Sequence, residues 1–318
     1  MTETLAKCYT PYYYDIYDKF SREISHRGTV IMSKLMGIVV SAVAVVLLLA
    51  ACGQESTADS EAASGDTGGG SQTASFQDGI YMAGEAFDPQ SDWRNIVILE
   101  VSDGRIVSAE WTAAPRTGGP DKLTHSSSGD YGMERVAEWP WHEQAQAVAE
   151  HLLQTQDPTD IELKDDGRTD AISGATMTVS YFFELAQQAL ADGPVGGGPY
   201  VDGAYYAEAD EPGQDWHDAV HITVINGYIA SVHWAPLPVD GERNKYRYSA
   251  DGDYGMERVA QWPWHEQADA LTRHILETQQ IRDIPLGDDG KTDAISGATI
   301  SIRSFVDVAS KAIAEAEA

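Results

Sequence analysis

The chain has 318 residues, among them 50 acidic and 21 basic ones, and its formal net charge is −29. That length allows two medium-sized domains with tails, and a hydrophobic content of 42% is enough for globular cores. Nucleic acids and anionic lipid surfaces bind basic protein surfaces, so this charge argues against both as partners.

The N-terminal part contains an apolar segment that ends at a cysteine. Residues 1–31 carry no usable periodic pattern, and we expect them to be absent from the mature protein. Residues 32–51 contain one lysine and an apolar run shorter than the about 20 residues of a spanning helix, which indicates a signal peptide. Leu-Ala-Ala-Cys resembles a bacterial lipobox and implies that Cys52 is acylated, anchoring the chain outside the cell membrane. An uncleaved membrane anchor is the alternative.

Residues 52–77 are small, polar and of low complexity, which is typical of a flexible tether. Cys8 and Cys52 are the only cysteines of the sequence, which also lacks the C-x-x-C-H motif of c-type haem. With Cys8 removed and Cys52 acylated, the mature protein would have no thiol for a disulfide or a metal. Redox chemistry would therefore require a cofactor held in another way.

The rest of the chain repeats itself. The sequence DAISGAT occurs at residues 170–176 and again 123 residues later at residues 293–299, and YGMERVA occurs at residues 131–137 and 254–260. Solenoid repeats have periods of about 20 to 50 residues, so this period indicates duplicated domains. We place them at residues 78–192 and 201–318, joined by a glycine- and proline-rich hinge at residues 193–200.

Each repeat begins with strand patterns and ends with helical ones. Apolar residues alternate at Val220, Ile222 and Val224, and Asn226-Gly227 is a strong signal for a two-residue hairpin. Later in each repeat the apolar residues have a helical period, and Pro140 and Pro263 mark helix starts. The prediction is an α+β fold in which each domain packs a small antiparallel sheet against helices.

The DAISGAT segment lies between an acidic turn and a helical pattern. Such a junction presents unpaired N–H groups and a positive dipole end to an anion such as phosphate. Gly174 and Ala175 leave space for a large group to approach the hydroxyl of Thr176. The alternative is that Ser173 and Thr176 only cap the helix.

DAISGAT also resembles the flavinylation motif, Asp-x-x-Ser/Thr-Gly-Ala-Thr, of the FMN-binding domains in the sodium-pumping quinone reductase and Rnf complexes. The resemblance implies one FMN per repeat, joined by a dedicated flavin transferase through a phosphoester to Thr176 and to Thr299. It further implies that the other motif positions contribute to the cofactor site: Asp170, Ser173, Gly174, Ala175, Asp293, Ser296, Gly297 and Ala298.

The motif aspartates raise an electrostatic question, because a carboxylate repels a phosphate unless a cation lies between them. Mg²⁺ binds one or two carboxylates together with substrate phosphates. We therefore expect Asp170 and Asp293 to act with Mg²⁺ during attachment, with no metal in the finished protein. Formation of the turn is the alternative role.

A second repeated segment is WPWHEQ, at residues 139–144 and 262–267. One interpretation puts a tryptophan or the histidine against the flavin ring, and the other puts the tryptophans in the core and uses the histidine at a helix end. Tyr131 and Met133 leave the same choice between flavin pocket and core. The zinc motif H-E-x-x-H is absent from the sequence.

Together these features predict a lipid-anchored extracytoplasmic electron carrier. It would take electrons from a membrane quinol-linked donor and pass them to a surface reductase or an extracellular acceptor. Covalent attachment would prevent loss of the flavin by dilution. A non-redox binding or adhesion lipoprotein, and a flavin-dependent reductase of a small soluble acceptor, remain alternatives, although the sequence shows no G-x-G-x-x-G after a strand.

Overall fold

The computed structural model of the chain describes residues 76–258 and 260–317, which belong to one compact unit. The predictions for residues 1–31, for the signal peptide, for Cys52 and for most of the tether lie outside the described residues. Within the described part, no helix is both long and apolar enough to cross a membrane.

The first half contains three strands followed by three helices: β1 (Gly79–Gly84), β2 (Trp93–Ser102), β3 (Arg105–Pro115), α1 (Lys122–Ser127), α2 (Trp141–Thr155) and α3 (Ser180–Asp192). The strands form an antiparallel meander in the order β1-β2-β3. Between β2 and β3 the chain turns at Asp103 and Gly104, whose φ angles of 52° and 70° are the left-handed values that a two-residue hairpin requires.

The second half has the same order of main elements: β4 (Gly203–Glu208), β5 (Trp216–His217), β6 (Ala219–Ile225), β7 (Tyr228–Trp234), β8 (Leu237–Pro238), α4 (Lys245–Ala250), α5 (Trp264–Thr278) and α6 (Arg303–Ala314). Its sheet has the antiparallel order β4-β6-β7, and the short strands β5 and β8 pair separately. The predicted hairpin at Asn226-Gly227 is confirmed, with φ angles of 52° and 74°. The described residues therefore combine helices with small antiparallel sheets, which is compatible with the predicted α+β class.

Helices α2 and α5 are fixed at both ends. Each begins directly after an extended proline, Pro140 or Pro263, as the sequence predicts. At the C-terminus, Gln156 adopts a left-handed φ of 60° and its side-chain amide exchanges two hydrogen bonds of 2.9 Å with the backbone of Ile106. Gln279 binds Ile229 in the same way. These contacts hold each long helix against its own sheet.

Each half has its own hydrophobic core between the inner face of the sheet and the helices. The first core includes Leu99, Trp111, Leu152 and Phe182, and the second includes Ile222, Trp234, Leu271 and Phe305. Trp111 and Trp234, which are separated by the repeat period of 123 residues, are both buried. The repeat therefore extends from sequence to packing.

A third, smaller core joins the outer faces of the two sheets. It contains Ile96 and Ala114 from the first half and Ile225 and Ala230 from the second. Around it, the Thr223 hydroxyl donates to the Gly119 carbonyl at 2.8 Å across the interface. The segment predicted as a hinge, residues 193–200, also contacts both halves, because the N–H groups of Val195 and Gly198 donate to Ile80 and Asn226.

Candidate functional site

The two DAISGAT segments form loops before helices α3 and α6. These helices begin four residues after each predicted acceptor threonine. The expectation that each threonine faces unpaired helix N–H groups is wrong. The N–H groups of Thr176 and Met177 donate to the side-chain oxygen of Gln144, and those of Val179 and Ser180 donate to the Gly167 carbonyl. A loop that packs on a hydrophobic core must provide acceptors for the backbone N–H groups that it buries. The Gln144 side chain and the Gly167 carbonyl are those acceptors.

The simpler role for the motif, helix capping, is also wrong. The residues at the N-cap positions are Val179 and Ile302, and neither helix has a side-chain capping hydrogen bond. Ser173 and Thr176 lie outside the first turn of α3. The repeated hydroxyl residues therefore have no capping function in either half.

Gln144 and Gln267 are the central residues of the two sites, and sequence reasoning missed them. Both are fully buried. The Gln144 oxygen accepts hydrogen bonds from the Thr176 N–H at 2.8 Å and the Thr176 hydroxyl at 3.2 Å, and its amide donates to the Trp139 carbonyl at 2.8 Å. In the second half Gln267 binds Thr299 at 2.8 and 3.1 Å and the Trp262 carbonyl at 2.9 Å. The sequence offered one signal for their role: a glutamine is the last residue of both repeated WPWHEQ segments.

Both threonines are exposed although their loops are anchored in the core. The flanking residues Ile172 and Ala175 are buried, and Gly174 has the left-handed φ of 86° that only glycine adopts without strain. In the second half Gly297 has a φ of 89°. Because the hydroxyl hydrogen is directed to the glutamine oxygen, the oxygen lone pairs of each threonine remain available to an electrophile from solvent.

The two tryptophans of each WPWHEQ segment have different environments. Trp141 is buried and contacts Trp111 at a centroid distance of 5.4 Å, which places it in the core. Trp139 is 44% exposed, and its indole lies 3.5 Å from the position that a Cβ at Gly174 would occupy. The His142 ring is 2.9 Å from the Ser126 hydroxyl of α1, so it links two helices and is not part of the loop.

An aromatic box beside each site surrounds a lysine. The Lys122 ammonium lies 5.3, 4.9 and 4.8 Å from the ring centres of Trp93, Tyr131 and Trp141, and burial lowers its pKa to about 8. Lys245 is surrounded in the same way by Trp216, Tyr254 and Trp264. Tyr131 and Met133 pack against the core, and the Met133 sulfur is 3.9 Å from the Gln144 amide.

The motif aspartates are exposed and differ between the halves. The Asp170 carboxylate is 2.6 Å from the Lys164 ammonium, whereas the position equivalent to Lys164 is Gly287 in the second half. The acidic turns are instead stabilised by Asp166 and Asp289, which accept the N–H groups of Arg168 and Lys291. Within the described residues, no group of three or more His, Cys, Asp and Glu residues could hold a metal ion.

A pocket of about 400 Å³ adjoins the second threonine loop. Its lining combines motif residues with the end and outer face of α5: Trp262, Glu266, Asp269, Ala270, Arg273, Ser296 and Gly297. Trp262 is 42% exposed. The pocket has an aromatic side and charged groups, and its size falls within the range of small-molecule sites. Thr299 is not among its lining residues but follows Gly297 by two positions in the chain.

The fold and site define an α+β protein with two matching, surface-exposed threonine loops. No known family model and no curated protein matches the chain. A solution NMR structure from Clostridium thermocellum is 48% identical and covers 36% of this chain and 91% of that one, with a TM-score of 0.31. A crystal structure from Clostridium perfringens is 22% identical, covers 37% and 88%, and has a TM-score of 0.31. Neither comes with a stated ligand or activity, so function is argued from the site.

Proposed function

We propose that the chain contains two tandem FMN-binding domains, each carrying one FMN in phosphoester linkage, and that it serves as a lipid-anchored extracytoplasmic electron carrier. Electrons would pass from a membrane quinol-linked donor to a surface reductase or extracellular acceptor. The observation that carries this proposal is the duplicated threonine site. In each half the exposed last Thr of DAISGAT binds an equivalent buried glutamine, Gln144 or Gln267. The corresponding distances in the two halves differ by no more than about 0.1 Å.

The geometry suits attachment of a bulky phosphate ester. The Thr176 hydroxyl is exposed, and its proton is directed to Gln144, so the oxygen can attack phosphorus. A flavin transferase would supply a flavin nucleotide with a second phosphate as leaving group. The new bond joins Thr176 oxygen to phosphorus, the phosphorus bond to the leaving phosphate breaks, and the hydroxyl proton passes to solvent or to a base of the transferase. Asp170 and Asp293 would bind Mg²⁺ during this step.

Once attached, FMN supplies one- and two-electron chemistry that no side chain provides. The protein contributes position and surroundings. Gln144 and Gln267 hold the loops on α2 and α5, and the exposed indoles of Trp139 and Trp262 offer flat apolar surfaces beside the attachment points. The buried tryptophans of the same segments belong to the core, and the half-buried histidines contact α1 and α4.

The test is the intact mass of the protein purified from cells that also express a flavin transferase. We expect two covalent FMN groups on the wild type, one on Thr176→Ala or Thr299→Ala, and none on the double variant. Each substitution removes an exposed hydroxyl with one side-chain hydrogen bond, which costs about 1 kcal/mol and leaves the fold intact. Circular dichroism controls for folding. Covalent flavin on the double variant would disprove the attachment site, and its absence from the wild type would disprove the function.

A further inference from the structure

The edge of the second sheet, at β7, is covered by a loop of the first half. This loop, residues 116–121, connects β3 with α1. Its Arg116 carbonyl accepts a hydrogen bond of 3.4 Å from the Ser231 hydroxyl of β7. The Arg116 guanidinium is held by Asp92 of its own half and lies 3.9 Å from Asp269 of the other. This edge therefore accepts a loop that directs an arginine to an acid.

The corresponding surface of the first half is a cleft of about 520 Å³ between β3, α1 and α2, and we call it the first-half cleft. No segment of the described residues fills it. Ser108, which is equivalent to Ser231, lines the cleft and is exposed. The neighbouring Val107 is 51% exposed, whereas the equivalent Ala230 is buried between the two sheets. The chain thus contains the same kind of edge twice and covers it once.

Two carboxylates line the first-half cleft, Glu110 on β3 and Glu150 on α2. Within the described residues, neither has a lysine or arginine at ion-pair distance, and Glu150 accepts a hydrogen bond of 2.9 Å from the neutral Gln146 amide. Partial burial, followed by the charges of Asp121 and Asp202, raises the pKa of Glu110. A guanidinium in the cleft would be attracted by both carboxylates and would oppose that rise.

The N-terminal segments of the chain do not supply this cation. Residues 53–75, the tether, contain four acidic residues and no lysine or arginine. Residues 1–31 do contain lysine and arginine, but we expect them to be absent from the mature protein. Charge complementarity therefore argues against an occupant from this part of the chain.

A second copy of the protein fits the cleft no better. Its loop equivalent to residues 116–121 has Val239 in place of the arginine and gains two acids, Asp240 and Glu242. These acids would approach the two carboxylates of the cleft, and such a pairing of like charges is unfavourable. The complementary loop therefore belongs to a different protein.

We propose that the first-half cleft is a docking site for a loop of a partner protein, with an arginine of that loop directed to Glu110 and Glu150. The Ser108 hydroxyl can donate to the backbone of the loop, as Ser231 donates to Arg116. Charge complementarity of this kind sets partner choice and the rate of association, and salt weakens it. The inference is independent of the proposed function, because it rests on the cleft and the repeat and requires no flavin.

The experiment titrates isotope-labelled full-length protein with a peptide and follows the backbone amides by NMR. The peptide has the sequence of residues 112–120, which includes Arg116, and its termini are blocked. We expect saturable shifts at the residues that line the cleft, including Glu110 and Glu150, and none at Ser231, whose surface is already covered. A peptide with Arg116→Gln should bind about fivefold more weakly, and high salt should reduce that difference.

Glu110→Gln combined with Glu150→Gln should weaken binding of the peptide about tenfold. The matched control, Glu184→Gln with Glu277→Gln, removes the same charge at exposed positions outside the cleft lining and should leave binding unchanged. Shifts that do not saturate, shifts outside the cleft, or equal weakening by the two pairs would overturn the inference. A dimer of the protein without peptide that Ser108→Trp abolishes in sedimentation would assign the cleft to a second copy and overturn it as well.

Discussion

The two halves agree around their threonines and differ along the edges of their sheets. In the first half, a cleft of about 520 Å³ runs between edge strand β3 and helices α1 and α2, and Glu110 and Leu123 line it. In the second half, the equivalent residues are His233 and Tyr246, and both are buried. The loop that follows β3 of the first half packs against this edge of the second half. Its Arg116 carbonyl accepts a hydrogen bond of 3.4 Å from the Ser231 hydroxyl, and the Arg116 guanidinium is 3.9 Å from Asp269. The duplicated chain has thus preserved the sites and changed the surfaces that join the halves.

The largest effect is expected where the halves agree. Gln267→Leu leaves the N–H groups of Thr299 and Ile300 without their acceptor, and each unsatisfied donor costs about 1–3 kcal/mol. We expect the free energy of unfolding of the second half to fall by about 2–5 kcal/mol in urea titrations, and flavin to be lost from Thr299 while Thr176 stays loaded. Gln280→Leu, at an exposed position, is the control. A stable variant with both flavins would show that the glutamine does not position the loop.

The next effect concerns a side chain on which the halves differ. Burial, followed by the neighbouring His221 and Arg116, lowers the pKa of His233 to about 3. The unfolded chain binds a proton below about pH 6.5 while the folded chain does not, so acid favours unfolding in that window. Between pH 7 and pH 5 we expect the wild type to lose about 2 kcal/mol more stability than His233→Gln.

This comparison is measured by urea unfolding at a series of pH values. His151→Gln is the control in the first half, where the partly exposed histidine ring contacts the Asp160 carbonyl and Phe183. It should keep the acid sensitivity of the wild type. Equal pH dependence of the wild type and His233→Gln would mean that His233 is protonated in the folded protein.

Local chemistry allowed much of the fold to be predicted from the sequence. Asn226-Gly227 specifies a hairpin because both residues tolerate left-handed φ, and Pro140 and Pro263 specify helix starts because proline cannot supply the N–H of a helix interior. The 123-residue period also relates Trp111 to Trp234, and both are buried in their cores. These features depend on neighbours in the chain, which a sequence displays directly.

The central contact of the site could not be derived in this way. Gln144 binds Thr176 across 32 residues, and only the packing of α2 against the motif loop brings them together. Trp139 and Trp141 are two residues apart in one motif, yet one is exposed and the other is buried, because α2 starts between them. The interface between the two halves could not be predicted from the sequence either. His221 and Thr223 alternate with apolar residues as they would on a solvent face, but the other half covers that face.

The smallest effect on stability is expected at the motif aspartates. Asp170→Asn breaks an exposed ion pair with Lys164, which contributes up to about 1 kcal/mol, and Asp293→Asn breaks none with a described residue. We expect melting temperatures to change little while flavin content falls in the altered half. Intact mass and thermal melting check both, with Asp192→Asn as an exposed control. A large melting shift with full loading would assign these aspartates to the turn.

The loop after β3 leaves no space for a side chain at one position. Gly118 has a φ of 68°, and a Cβ there would come within 2.5 Å of the His221 Cβ, whereas the nearest atom to a Cβ at the equivalent Gly241 is 3.8 Å away. Gly118 therefore packs against the other half, whereas the atoms nearest to Gly241 belong to Pro238 of its own half. Either half produced alone would expose to water a surface shaped to fit the other.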